Sequence, residues 1–326
     1  MMLFKIVRRV AISLCLSGSV ALGLIASQQP KTLPAREGLD FTTAFAQDYK
    51  KTPDTQPVAM RDGSTLAVRE YGAQVDGPLM IMVHGSGWHG LQFDDLATKL
   101  ANKAHVLVPD LRGHGVAPER RGDVDYIGQL EDDLADLITA KAKPGQKVVM
   151  LGHSSGGGLV VRFAGGAQGD LIDHAVLLAP FLKYNAPTTR ENAGGWANTI
   201  VRRIIGLSML NTFGITALNY LPIIQFNMPQ SVLNGPYGAT ATTAYSYRLN
   251  TSFAPRSNYM KDIAALPKFT LIAGVEDEAF VAPEYEPLMT QATGKGRYLL
   301  IKDSNHLGVV YAPETLVAIK EDLSGL

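Results

Sequence analysis

Six short apolar runs, at 79–83, 106–109, 148–151, 175–179, 270–273 and 298–301, punctuate this chain. Segments with helical spacing separate most of them, and no other feature limits the fold as much. Runs that are apolar without alternation suit strands buried on both faces. Helices between them return the chain so that neighbouring strands run parallel. In 126–141 the stripe Leu130, Leu134, Leu137 and Ile138 is opposed by Glu131, Asp132, Asp133 and Asp136, the pattern of a helix with one buried face. A further helix is predicted over 93–103, and a last one after Pro313 through Leu316, Ile319 and Leu323. Ahead of the first run, Asp62-Gly63 between two short alternating stretches predicts a hairpin. The expected fold class is therefore α/β, with a mostly parallel central sheet covered by helices on both faces.

Two regions fall outside this rhythm. The interval between 179 and 270 is far longer than a crossover helix requires. Its apolar stretches at 196–205 and 207–220 look helical, and a Tyr/Thr/Ser-rich portion, "ATATTAYSYRLN", follows. The expectation is a helical lid inserted over about 182–265. At the other end, Lys5, Arg8 and Arg9 precede an uncharged run from Val10 to Ala26, which reads as a signal peptide or membrane anchor over 1–26. Ser19-Val20-Ala21 and Ala44-Phe45-Ala46 both have the small-x-small pattern of a cleavage site. Export is expected, with membrane association through 10–26. Residues 27–57 are expected to be a linker, and 58–326 the folded domain.

The stretch "VVMLGHSSGGGLVV", Val148 to Val161, sits at a strand-to-helix turn. A phosphate-binding loop needs a Lys that does not follow these glycines, and a dinucleotide fingerprint needs glycine where Ser154 stands. Gly152-His153-Ser154-Ser155-Gly156 instead fits Gly-x-Ser-x-Gly. In that motif a serine in a strained turn projects beyond the sheet edge, and the residues two before and two after are small because backbones pass close. Centring on Ser155 would put His153 at a flank, so Ser154 is the candidate nucleophile. Ser155 then offers its N–H to an oxyanion.

Downstream, His174 heads an apolar run and reads as a strand-edge residue. His306, in "LLIKDSNHLG", follows the last run and is the candidate base. Glu276, Asp277 and Glu278 all lie just past the run at 270–273; Asp277 is selected as the orienting acid. The loop "HGSGWHG" after the first run is expected to supply a second oxyanion donor, the Ser86 N–H. His84 and His89 have no third ligand cluster beside them, so no metal is expected. The lone Cys15 excludes a disulfide framework and a thiolate metal site, and 30 basic against 30 acidic residues provide no field for nucleic acid.

With "HGSGWHG", "VLVPDLRGHG", "YIGQLEDDLADLI", "GHSSGG", "AGVEDEAF" and "SNHLG" in this order, the chain resembles the α/β-hydrolase superfamily, most closely its monoglyceride lipase and lysophospholipase branch. The matching motifs cover about 58–180 and 268–326. The resemblance implies a Ser154–Asp277–His306 triad with Ser86 and Ser155 as oxyanion donors. It also implies a cofactor-free serine hydrolase acting on small ester or lipid substrates. A perhydrolase or haloperoxidase-like activity on the same triad is the alternative, and a membrane-tethered binding protein with an idle triad is a third.

Overall fold

The computed structural model describes residues 2–33, 39–45, 49 and 52–326. Eleven strands are present among them: β1 Gln56–Ala59, β2 Thr65–Tyr71, β3 Leu79–Val83, β4 His105–Asp110, β5 Val148–His153, β6 His174–Leu178, β7 Ala197–Thr199, β8 Pro222–Phe226, β9 Ala244–Ser246, β10 Lys268–Gly274 and β11 Gly296–Ile301. Eight of them form one sheet in the order β1-β2-β4-β3-β5-β6-β10-β11. The sheet is parallel from β4 to β11, and the β1–β2 hairpin closes its other edge antiparallel. This is the α/β-hydrolase fold. Every residue of β3, β4, β5 and β6 is buried, which is why each of these strands shows as an apolar run, with polar residues only at the ends of β4, β5 and β6.

The final helix begins at Pro313 itself, where the fixed φ of proline suits a first turn. Helices Asp94–Leu100, Gln129–Lys141 and Ser155–Ala164 cover the sheet. The last of these meets the sheet at two glycines. A Cβ on Gly156 would lie 2.1 Å from the Val83 carbonyl oxygen, and one on Gly152 would lie 2.4 Å from that of Gly156. Both obstacles are backbone, so neither can swing aside. Gly156→Ala is expected to destabilise the protein by roughly 3 kcal/mol or more, the upper end for overpacking a core. A melting temperature equal to that of the wild type would contradict this.

The insertion is not wholly helical. The stretch at 196–205 divides into β7 and the start of the helix Val201–Thr212, and 213–220 leaves the helix at Phe213 and Gly214. The Tyr/Thr/Ser-rich portion becomes β9 and the helix Tyr247–Phe253, capped by the Ser246 hydroxyl on the Leu249 N–H. Strands β7, β8 and β9 form a small antiparallel sheet of their own. Pairings of three to five residues carry little sequence signal, because tertiary contact rather than propensity holds them.

The N-terminal helix Met2–Ser27 lies on this lid. Ala21 and Ile25 are buried against Leu207 and Leu210 of the helix Val201–Thr212. Gly206 permits the approach, since a Cβ there would lie 2.5 Å from the Ala21 carbonyl oxygen. Lys31 and Gln225 of β8 exchange two hydrogen bonds, at 3.0 and 2.8 Å. Of the two small-x-small patterns, Ser19-Val20-Ala21 falls within this helix, and Ala46 of the second lies outside the described residues. Among the described residues no helix is long and apolar enough to cross a membrane. Within the stretch expected as a linker, Leu39 and Phe41 are buried in the main core, and β1 begins at Gln56.

Candidate active site

The C-terminal ends of β3, β5, β10 and β11 bring the chemistry-bearing loops to one edge of the sheet, where sites form in open α/β folds. Ser154 follows β5 with φ 55° and ψ −123°, a conformation that L-residues rarely adopt. Three backbone bonds hold it there. Its N–H donates to the Leu178 carbonyl, and its own carbonyl accepts from the N–H groups of Gly158 and Phe181. Residue 154 is thus pinned to β6 on one side and to its helix on the other, with the side chain aimed off the sheet edge.

Ser155 opens the helix Ser155–Ala164, so no carbonyl one turn earlier can accept its N–H. Across the site, the loop after β3 has Gly85 donating to Gln92 Oε1 at 3.3 Å and Gly87 donating to the Tyr245 hydroxyl at 2.8 Å. Between them the Ser86 N–H has no partner among the described residues, and neither has that of Ser155. Two free N–H groups, one on each loop, therefore flank the serine. Gly85 is glycine for a reason of space, since a Cβ there would sit 3.1 Å from that of Ser154.

Asp277 lies in the loop after β10. Its Oδ1 accepts from the N–H groups of Ala279 and Phe280, at 2.8 and 2.7 Å, and its Oδ2 meets His306 Nδ1 at 2.8 Å. The flanking glutamates are placed differently. Glu276 is exposed, while Glu278 accepts the backbone N–H of His306 at 2.9 Å. Burial works against the charged form of His306, but the charge and hydrogen bond of Asp277, with Glu278 behind them, more than offset it and raise its pKa. For Asp277 burial acts upward, and the charge and hydrogen bond of His306 together with the two N–H donors bring the carboxyl below its usual range. No hydrogen bond joins Ser154 to His306 in this structure. The two are linked through His153, whose Nε2–H donates to the His306 carbonyl at 2.9 Å while Gln92 donates to its Nδ1 at 2.8 Å. Burial pushes the His153 pKa down to about 3, which keeps this ring neutral.

Of the sequence candidates, the structure brings Asp277 and His306 into contact, and it sets Ser154 and Ser155 against the loop that carries Ser86 at the same edge of the sheet. His174 stands at the start of β6, 3.3 Å from Asp322 and away from this edge. His84 and His89 are buried separately, their pKa values pushed by burial to about 4. Among the described residues no cluster of three metal-ligating side chains occurs. Gln92, His153, Tyr245 and Glu278 are site residues that the sequence reading did not assign. Glu278 was among the three carboxylates weighed as the acid, and Tyr245 lies in the Tyr/Thr/Ser-rich stretch. Its hydroxyl accepts from Gly87 and donates to His114 Nε2, so the lid itself shapes the loop after β3. A cavity of about 640 Å³ lies elsewhere, between the β1–β2 hairpin and the loop after β4. Ser154, Asp277 and His306 do not line it, and Arg112 and Arg120 on its wall are already paired with aspartates.

Residues 77–223 match the family described as serine aminopeptidase, S33. An uncharacterized protein of Mycobacterium bovis is 32% identical over 88 residues, 27% of this chain and 25% of that protein. The chain therefore matches about a quarter of the length of such relatives. A proline iminopeptidase of Pestalotiopsis fici is 23% identical over 267 residues, 75% of this chain and 90% of that one. Among solved structures, a soluble variant of monoglyceride lipase from Saccharomyces cerevisiae, in complex with a substrate analog, superposes with a TM-score of 0.65. Its identity is 16%, covering 90% of this chain and 98% of that one. At that identity the likeness establishes the fold.

Proposed function

This chain has the fold of the α/β-hydrolase superfamily, and we propose that it is a serine hydrolase cleaving carboxylic esters of apolar acyl groups. The observation that carries this reading is the pair of unpartnered N–H groups, Ser86 and Ser155, on either side of a strained serine beside a buried His–Asp pair. In the reaction His306 Nε2 takes the proton of Ser154 as its oxygen attacks the acyl carbon. The two N–H groups receive the oxyanion, and His306, its Nδ1–H held by Asp277, protonates the leaving alcohol. Water then repeats the sequence on the acyl-enzyme.

An apolar acyl group suits the side chains packed around the loop after β3. Trp88, Trp196, Phe226 and Met228 are buried on and above the loop after β3, and Trp196 donates from the lid to the Ser86 hydroxyl at 3.2 Å. The monoglyceride lipase likeness supports a greasy ester, whereas the aminopeptidase and iminopeptidase likenesses favour an amide. A panel of esters and monoacylglycerols of increasing chain length, with proline amides and a peroxide-dependent assay beside it, separates these. Ester turnover rising with chain length and fluorophosphonate labelling of the protein are expected. Turnover of the amides alone, or of peroxide alone, would reassign the reaction, and the absence of any labelling of folded protein would remove it. Export of the chain by residues 1–26 is part of the same proposal, and activity confined to the cytoplasmic fraction would overturn it.

The pH profile is a further expectation. His306 serves as base only when neutral, and its pKa is raised by Asp277 and Glu278. The rate should therefore fall as pH falls, with the acid limb of kcat/KM centred above the ordinary histidine value of about 6.5. A limb centred clearly below that value would show that His306 is not the titrating base.

A further inference from the structure

The residues before β1 reach the catalytic loops. The Asp40 N–H donates to Glu278 Oε1 at 2.9 Å, while Oε2 of the same carboxylate accepts the His306 N–H, also at 2.9 Å. One side chain thus joins the N-terminal segment to the backbone of the candidate base. Asn305, next to His306, strengthens the joint by donating to Asp40 Oδ2 at 3.2 Å and accepting the Gly308 N–H at 2.7 Å. Asp40 Oδ1 accepts the Thr42 N–H, which tightens the segment locally.

One residue further on, Phe41 is only 5% exposed. Its ring lies 5.8 Å from that of Trp88, on the loop after β3, and 6.0 Å from that of Trp196, on the lid. Trp196 in turn bonds the Ser86 hydroxyl, and a Cβ on Gly87 would touch its ring at 3.0 Å. Leu39 is buried as well. Three residues therefore touch the His306 loop, the oxyanion loop and the lid at once. Burial of these two large apolar side chains in the main core keeps the segment seated.

We propose that Glu278 is a positioning residue that couples the segment Leu39–Thr42 to His306, so that the hydrolase reaches its full rate only with this segment in place between lid and oxyanion loop. The inference rests on the serine-hydrolase reading for its catalytic consequence. It requires that the working chain retain Leu39, Asp40 and Phe41, which cleavage after Ala46 would remove. Glu278 is suited to the task because a carboxylate accepts two N–H groups at once. A carboxamide in its place offers one acceptor and turns a donor toward the other N–H.

The test uses the full-length protein and the variants Glu278→Gln, Phe41→Ala and the double substitution, with rates normalised to fluorophosphonate-titrated sites. Each single variant is expected to lower kcat about tenfold with KM little changed, less than the ~100-fold that a 1 Å misplacement can cost. The double variant should fall no further than Glu278→Gln alone, because both act through one clamp. His306 is faced by Asp277 and Glu278 from the β10 loop, by His153 at the end of β5, by Arg190 of the lid through the Asp277 carbonyl, and by Asp40 across Asn305. Removing the Glu278 charge should move the acid limb to lower pH, and Phe41→Ala should leave it in place. A merely structural role would lower the melting temperature without moving the limb or the per-site kcat, and that outcome overturns the proposal. So would multiplicative losses in the double variant, or a mature protein whose first residue lies after Ala46. If the wild type neither labels nor turns over substrate, the hydrolase reading fails instead. The clamp is then read from the imidazole titration of His306 by NMR, which Glu278→Gln must shift downward.

Discussion

Ser154→Ala is expected to lower ester hydrolysis by about 10⁴–10⁶-fold, the loss that follows removal of an activated nucleophile from a serine triad. Labelling by a fluorophosphonate should vanish with it. The melting temperature should hardly change, because alanine occupies the same φ of 55° at the same steric cost and the three backbone bonds at residue 154 remain. Ser154→Gly sharpens the expectation. It should be equally inactive yet more stable than Ser154→Ala, since glycine takes positive φ freely and relieves strain of order 1–3 kcal/mol. The pair thus separates the two jobs of this position, chemistry and forced geometry. Persistent labelling in Ser154→Ala would mean that Ser155 or another serine is the nucleophile. Equal melting temperatures for the alanine and glycine variants would mean that the turn is not strained.

What could be seen in the sequence and what could not divide along a physical line. The central strands were legible because burial on both faces leaves apolar side chains throughout β3 and along β5 and β6 except at the histidines that end the one and begin the other. The turn at Ser154 was legible because steric necessity puts glycine at 152 and 156 whatever else varies. Contacts made through space between distant segments leave no such trace. Nothing in the spacing of Gln92 and His153 announces that one holds the ring of the other, or that His153 then holds the His306 backbone. The same holds for Tyr245, which reaches Gly87 across 158 positions, and for Phe41 wedged between Trp88 and Trp196. The lid strands failed to show for a different reason, since pairings so short follow their surroundings rather than their own propensity.

The acid is where these two kinds of information meet. Three carboxylates lie in the register of "EDE", Glu276 to Glu278, and only geometry separates them. Asp277→Asn is expected to lower kcat by about 10⁴, for a reason visible in the hydrogen bonds. Oδ1 of Asp277 already accepts two N–H groups, from Ala279 and Phe280. The asparagine must keep its oxygen there, because its amino group would face two donors. That leaves the amino group pointing at His306 Nδ1 in place of an acceptor. The ring can then receive a hydrogen bond only with Nδ1 bare, so its proton moves to Nε2, the nitrogen that has to take the proton of Ser154. The variant should fold, since the loop bonds survive, and should bind substrate with KM little changed while turning it over slowly. Loss of the carboxylate also removes the main upward influence on His306, so any residual rate should show its acid limb at lower pH. Glu276→Gln is the control. Its side chain is exposed, and the rate should be unaffected. If Asp277→Asn kept more than a tenth of the wild-type kcat, the orienting acid would have to be sought elsewhere, with Glu278 the first to test.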